Sequence, residues 1–160
     1  MYRAVRVTTD DYRDFRKAYS KMVFSIYDKK YVLKTFAYEQ AISRQALEES
    51  MRTRTKFLED LADPNREMYF FKKDDEIIGF FELFYHKGKC DISDFFVFER
   101  YQGHGTHMWE ATYEIAKKRK ASRIELWSPY GGAQMFWKKM GFEPVYINKV
   151  LCYRKKIRYS

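Results

Sequence analysis

Cysteine is scarce in this chain of 160 residues, and Cys90 and Cys152 form no CxxC pair. That excludes a disulfide framework as the basis of the fold, and both are read as reduced thiols of a reducing compartment. Histidine is nearly as scarce. His86, His104 and His107 are the three present, with no HExxH-type pairing, so no metal site is expected. Long apolar runs are missing too. The opening stretch MYRAVRVTTDDYRDF reads neither as a signal peptide nor as a membrane span, so the expected location is the cytoplasm, with no membrane partner. Repeats, low-complexity tracts and linkers are absent, so residues 1–160 are read as one domain.

What is present is ample core material. Hydrophobic residues make up 46% and aromatics 19%, enough to bury one sizeable core and to exclude general disorder. The formal net charge of +9 favours anionic partners. Coenzyme phosphates, nucleic acid and acidic surfaces all qualify on charge alone.

Along the chain, YRAVRV alternates as a short strand. Thr8, Thr9 and Asp10 are candidate helix caps before Phe15, Ala18, Tyr19 and Met22, which recur at helical spacing. A longer helical pattern runs over 35–62 and stops at the Pro64 turn. From Glu67, the runs EMYFFKK, EIIGFFELFY and CDISDFFVF are separated by short turns, which predicts an antiparallel meander. A helix after the glycine pair ends in Lys117-Lys118-Arg119-Lys120. Cations in a last turn complement the helix dipole and need no nucleic acid to explain them. RIELW is a further strand, and GGAQMFWKKMGF a short helix closed by Gly141. One or two strands finish the chain, in the order β, α, α, β, β, β, α, β, α, β, β.

The glycine pair carries the chemistry. A strand, a glycine-rich turn and a helix start place unpaired N–H groups around one point, with the positive end of the helix dipole behind them. A Walker A loop needs Gly-Lys-Ser/Thr, and Thr106-His107 does not supply it. A dinucleotide fingerprint needs a third glycine where Met108 stands, and it opens repeated parallel units rather than following a meander.

A third reading covers more of the chain. Arg100-Tyr101-Gln102-Gly103-His104-Gly105 matches an Arg/Gln-x-x-Gly-x-Gly/Ala loop, and ERYQGHGTHMWEATYEIAKKRKASRIELW resembles the loop, helix and strand of the GNAT superfamily of acyl-CoA N-acyltransferases. AQMFWKKMGFEPV resembles that family's second signature, and EIIGFFELF and DISDFFV its third and fourth strands. The resemblance spans roughly Glu67 to Val145. It implies an α/β (α+β) GNAT fold, with a mixed, mostly antiparallel central sheet of about six or seven strands flanked by about four helices.

The resemblance implies acetyl-CoA as cosubstrate, with the amides of Gln102, Gly103, His104, Gly105 and Thr106 around the pyrophosphate. Phe96, Val97 and Phe98 would lie along the pantetheine arm, and RIELWS would splay away to open a gap. The implied reaction is direct attack of an amine on the thioester in a ternary complex. A Lys-like amine of pKa near ~10.4 costs roughly 4–5 kcal/mol to deprotonate at neutral pH, so a base is needed. Asp94, Asp91 and Glu82 are the candidates, in that order. Alternation puts Asp91 with Ser93 and Phe95 on one strand face, and Asp94 with Ile92 and Phe96 on the other. One of the two at most then faces the acceptor.

Where many relatives carry a tyrosine that protonates the leaving thiolate, this chain has Trp137, whose indole N–H is only a hydrogen-bond donor. Tyr130 is the substitute acid, or the thiolate leaves unaided. Tyr27, Asp28 and Tyr31 fall in the region that covers the acceptor in relatives. The acceptor amine is not identified, though the positive balance argues against highly cationic ones. A non-catalytic acyl-CoA-binding domain is the alternative, followed by a basic nucleic-acid-binding protein. The expectation is against nucleic acid, and family habit and exposed edge strands allow a homodimer.

Overall fold

Aromatic-rich runs joined by two-residue turns fold back on one another, and this builds the centre of the molecule. The computed structural model describes residues 1–26, 52–99, 102–127 and 131–159. The elements are β1 (Tyr2–Arg6), a 3-10 turn (Thr9–Asp11), α1 (Tyr12–Ile26), α2 (Arg54–Ala62), β2 (Arg66–Lys73), β3 (Glu76–His86) and β4 (Lys89–Val97). There follow α3 (His104–Lys118), β5 (Arg123–Leu126), α4 (Gly131–Lys139), β6 (Glu143–Ile147) and β7 (Val150–Lys156). The strands form one sheet in the order β1-β2-β3-β4-β5-β7-β6. Neighbours are antiparallel except β4 and β5, which run parallel. This is the mixed, mostly antiparallel α/β sheet that the sequence implies.

Local chemistry explains the turns. Lys87 (φ 49°) and Gly88 (φ 73°) join β3 to β4, and Asn148 (φ 50°) and Lys149 (φ 67°) join β6 to β7. Positive φ at both central residues is the hairpin geometry that matches strand twist. At the end of α4, the Gly141 and Phe142 amides donate to Lys138 and Trp137 carbonyls, each at 3.0 Å. Gly141 has φ 92°, the left-handed stop expected there, and Phe142 packs back on Trp137.

Helices cover both faces. One core joins the sheet to α3 and α4 through Phe81, Leu83, Ile92, Met108, Trp109, Ile124, Leu126 and Trp137. The other joins it to α1 and α2 through Phe15, Ala18, Met22, Phe57, Met68, Phe70 and Phe80. The helical spacing of Phe15, Ala18 and Met22 thus marks a buried stripe. Of the longer helix read over 35–62, α2 is the part within the described residues. Tyr27, Asp28, Tyr31 and Tyr130, singled out in the sequence, also lie outside the described residues. No described helix is long and apolar enough to cross a membrane.

Gly79 lets β4 and α3 close on β3. A Cβ there would stand 2.9 Å from the Phe96 carbonyl oxygen and 3.0 Å from Met108 Sδ. The oxygen belongs to the backbone and cannot rotate aside. Gly79→Ala is expected to destabilise the fold by about 1–3 kcal/mol. A lower urea midpoint at unchanged slope would register it, and an unchanged midpoint would refute the close approach.

Candidate active site

A gap opens where the parallel strands meet. β4 and β5 pair only at Cys90 with Ile124 and Asp91 with Glu125. Beyond that point β5 stays on β7 through Leu126 and Tyr153, while β4 stays on β3 as far as Val97. The β5-facing peptide groups between Ile92 and Val97 therefore have no strand partner among the described residues. Of Phe96, Val97 and Phe98, expected along this edge, the first two lie on β4, and Phe98 follows directly, its amide donating to the Ile78 carbonyl at 2.9 Å.

The glycine loop stands at the mouth of the gap. Gly103 caps α3 with φ 77°, a left-handed conformation that glycine adopts without strain. The first amides of the helix, at His104, Gly105 and Thr106, have no intrahelical acceptor, and the helix dipole adds positive potential. Gly105 backs onto Phe136, whose ring would lie 3.3 Å from an added Cβ. The His104 side chain is turned inward, 8% exposed, with Nδ1 hydrogen-bonded to the Tyr2 hydroxyl at 2.9 Å. Tyr2 also stacks on His107 at 4.1 Å and on Phe71 at 5.6 Å. Through it the first strand braces the loop, so what His104 can offer an anion is its amide. The exposed Gln102 adjoins them.

A bulge corrects the alternation read from the sequence. Glu82 pairs with Asp94 and Leu83 with Ile92, leaving Ser93 as the extra residue of β4. Ile92 and Phe95 then share the core of α3 and α4. Asp91 and Asp94 come to the same face, opposite Phe84 and Glu82 respectively. One inserted residue changes the parity of everything after it.

The three carboxylates occupy different settings. Glu82 is fully buried, and both its oxygens are taken by guanidinium groups: a short hydrogen bond from Arg52, and one from Arg66 at 2.9 Å. It serves as a counter-ion. Asp91 sits 2.5 Å from His86 Nε2 and 3.7 Å from Lys89 Nζ. Asp94 has one cation at longer range, Arg52 at 3.7 Å. Burial, reinforced by the Glu82 carboxylate beside it, raises its carboxyl to about 7 against the opposing pull of Arg52 and Arg66. A carboxyl poised near neutrality, facing the side of the sheet that carries α1 and α2, is suited to accept a proton.

Arg52 organises this corner and was not picked out from the sequence. Its Nε lies 3.4 Å from Asp60, and its guanidinium stacks 5.6 Å from the Phe15 ring centre and 5.2 Å from that of Tyr19. Burial and then the Asp94 charge raise the Tyr19 phenol, which keeps it protonated. Arg52 and Glu82 are 30 residues apart, and no local spacing rule connects them. Trp137 is 5% exposed and packs edge-on against Phe95, Trp109, Phe136 and Phe142. The indole is core, not a group displayed in the gap. Cys90 and Cys152 are both free thiols. Among the described residues no group of three or more His, Cys, Asp or Glu is placed to hold a metal.

The parallel pair thus parts with a glycine-capped helix at its mouth. The family model for the acetyltransferase (GNAT) family matches residues 23–142. The chain belongs to that family. No curated protein matches. Among solved structures, the chain is similar to the PaiA N-acetyltransferase from Thermoplasma acidophilum in complex with coenzyme A, at 16% identity and TM-score 0.74, covering 98% of this chain and 99% of that one. It is similar to the ribosomal-protein-S18-alanine N-acetyltransferase from Escherichia coli, at 11% identity and TM-score 0.61, covering 100% and 96%. A GNAT acetyltransferase from Elizabethkingia anophelis with acetyl-CoA bound is similar at 21% identity and TM-score 0.50, covering 63% and 82%. At these identities the structural matches speak for the fold.

Proposed function

We propose that this chain transfers the acetyl group of acetyl-CoA to a primary amine, by direct attack in a ternary complex. The observation that carries the proposal is the parted β4–β5 pair facing the free amides of α3, with Asp94 on the same strand. The amides of Gln102 to Thr106 hold the pyrophosphate, and the unpaired edge of β4, near Phe96, Val97 and Phe98, takes the pantetheine arm as a strand would. Acetyl-CoA supplies the activated acyl carbon.

Asp94 removes one proton from the acceptor ammonium, directly or through water, freeing the nitrogen lone pair for the carbonyl carbon. The C–N bond forms, the nitrogen's second proton passes to solvent as the tetrahedral intermediate collapses, the C–S bond breaks, and the electron pair leaves with sulfur. A thiol pKa near ~8.5 makes the thiolate a tolerable leaving group. Tyr130 is the proposed proton donor to it, on its sequence position after β5. Glu82 and Arg52 hold the corner in place, and Asp91 is the second candidate base.

The test is a thermal-shift titration with acetyl-CoA, coenzyme A, NAD and a short RNA, followed by an amine screen for coenzyme release. A ligand at a hundred times its dissociation constant adds roughly 2.7 kcal/mol of stability, so only the coenzyme A species should raise the melting temperature. A response to NAD or RNA alone would sink the proposal. Coenzyme binding without turnover on any amine would leave an acyl-CoA-binding domain.

A further inference from the structure

We infer that Arg123 and Arg154, held over the buried Glu125, form a receptor for a carboxylate on the acceptor, so that the substrates are amino acids or short amino-acid derivatives. The inference rests on the acetyl-transfer reading above and names the substrate class for that site.

Glu125 lies on β5 between Ile124 and Leu126, which turn into the core of α3 and α4; its own side chain takes the opposite face. No residue of the α1–α2 core comes from β5 or β7, yet Glu125 is 3% exposed. Three cations enclose it. Lys89 Nζ donates to Oε2 at 2.9 Å, Arg123 Nε to Oε1 at 2.5 Å, and Arg154 to Oε1 at 3.0 Å from Nε and 2.9 Å from a terminal nitrogen. Burial alone would raise this carboxyl, but the three donors bring it down to about 2. Glu125 is therefore an anion over the whole working range.

One carboxylate does not need three cations. Lys89, with its side chain 15% exposed, supplies one of them and also faces Asp91 at 3.7 Å. Asp91 is engaged by His86 as well, and Glu143 stands opposite Arg154 across the β6–β7 pair. Among the described residues no ion pair joins Glu143 to Arg154, and the Arg123 and Arg154 side chains remain 37% and 34% exposed. Among the described residues, the hydrogen bonds and ion pairs of both arginines go to Glu125 alone. Arg123 spends only its Nε there, which leaves its two terminal nitrogens as a parallel fork, the arrangement that a carboxylate fits best. The buried glutamate fixes the approach of both guanidinium groups and so lowers the ordering cost of binding an anion.

The position suits an acceptor. Glu125 is in register with Asp91, and the bulge places Asp91 and Asp94 on one face. Strand spacing then puts the cluster about 10 Å from Asp94. Two hydrogen-bond contacts of about 3 Å take up part of that distance, leaving an amine and a carboxylate a few bonds apart. The net charge of +9 agrees in sign.

The test is calorimetric titration of the protein, with and without coenzyme A, using N-acetyl-γ-aminobutyrate, its primary amide and the matching phosphonate. The carboxylate is expected to bind at least tenfold more tightly than the amide. Arg154→Met and Arg123→Met should each cut that preference to threefold or less, with coenzyme A affinity unchanged. Equal binding of carboxylate and amide, binding of neither, or a preference that survives both substitutions overturns the inference. So does a gain for the phosphonate alone. The wild-type comparison needs no variant to fold. Coenzyme A failing to bind counts against acetyl transfer, whereas loss of the carboxylate preference with coenzyme A still bound counts against the receptor alone.

Discussion

Asp94→Asn is expected to lower kcat/KM for acetyl transfer by about 10²–10⁴-fold, the range that a positioned base contributes. The variant keeps the shape of the side chain and its hydrogen-bonding capacity but takes up no proton. The pH profile makes the result specific. With the carboxyl raised to about 7, wild-type activity climbs with pH through that value as the base ionises, and Asp94→Asn lacks that limb. The acceptor amine contributes its own, more alkaline limb in both proteins.

Stability moves in the opposite sense. The folded pKa lies above the ordinary aspartate value, so between the two the native state holds more protons than the unfolded one, and stability falls as pH rises. Asp94→Asn removes that loss, so its melting temperature should gain on wild type from pH 5 to pH 8. A variant retaining full activity and the limb near 7 would remove Asp94 as the base.

Gly103→Val is expected to abolish the thermal shift with coenzyme A, corresponding to at least a hundredfold weaker binding, while the protein stays folded. An added Cβ at Gly103 meets nothing within 4 Å, so the fold has room for it. The cost lies in the backbone. At φ 77° a β-branched residue is strained by about 1–3 kcal/mol, and relaxing that strain turns the amides that begin α3 away from their common focus. Gly103→Asn should keep most of the binding, because asparagine tolerates the left-handed region. Equal loss in both variants would point to bulk at the loop rather than conformation, and unchanged binding in the valine variant would remove the loop from the site.

The sheet, its turns and the glycine loop could be read along the chain because each depends on neighbours in sequence. Alternating aromatics at Glu67–His86, positive-φ turns at Lys87-Gly88 and the stop at Gly141 are short-range steric facts. The loop at Gly103 announces itself because a glycine-capped helix start needs only a few consecutive residues. The facing of the carboxylates was another matter. Period-two alternation separated Asp91 from Asp94, and the bulge at Ser93, set by pairing with β3, brought them together. Trp137 stood at a position of expected chemistry and proved to be packed among four aromatic rings.

By itself, then, the sequence determined the order and type of the elements, the family signatures and the place of the glycine-capped helix start, all through contacts a few residues long. Only the tertiary structure decided that Glu82 is spent on Arg52 and Arg66, that Asp94 is held near neutrality, and that two arginines converge on Glu125. Those outcomes depend on burial and on charges brought together across strands. Desolvation and Coulomb attraction follow distance in space, which the chain does not record.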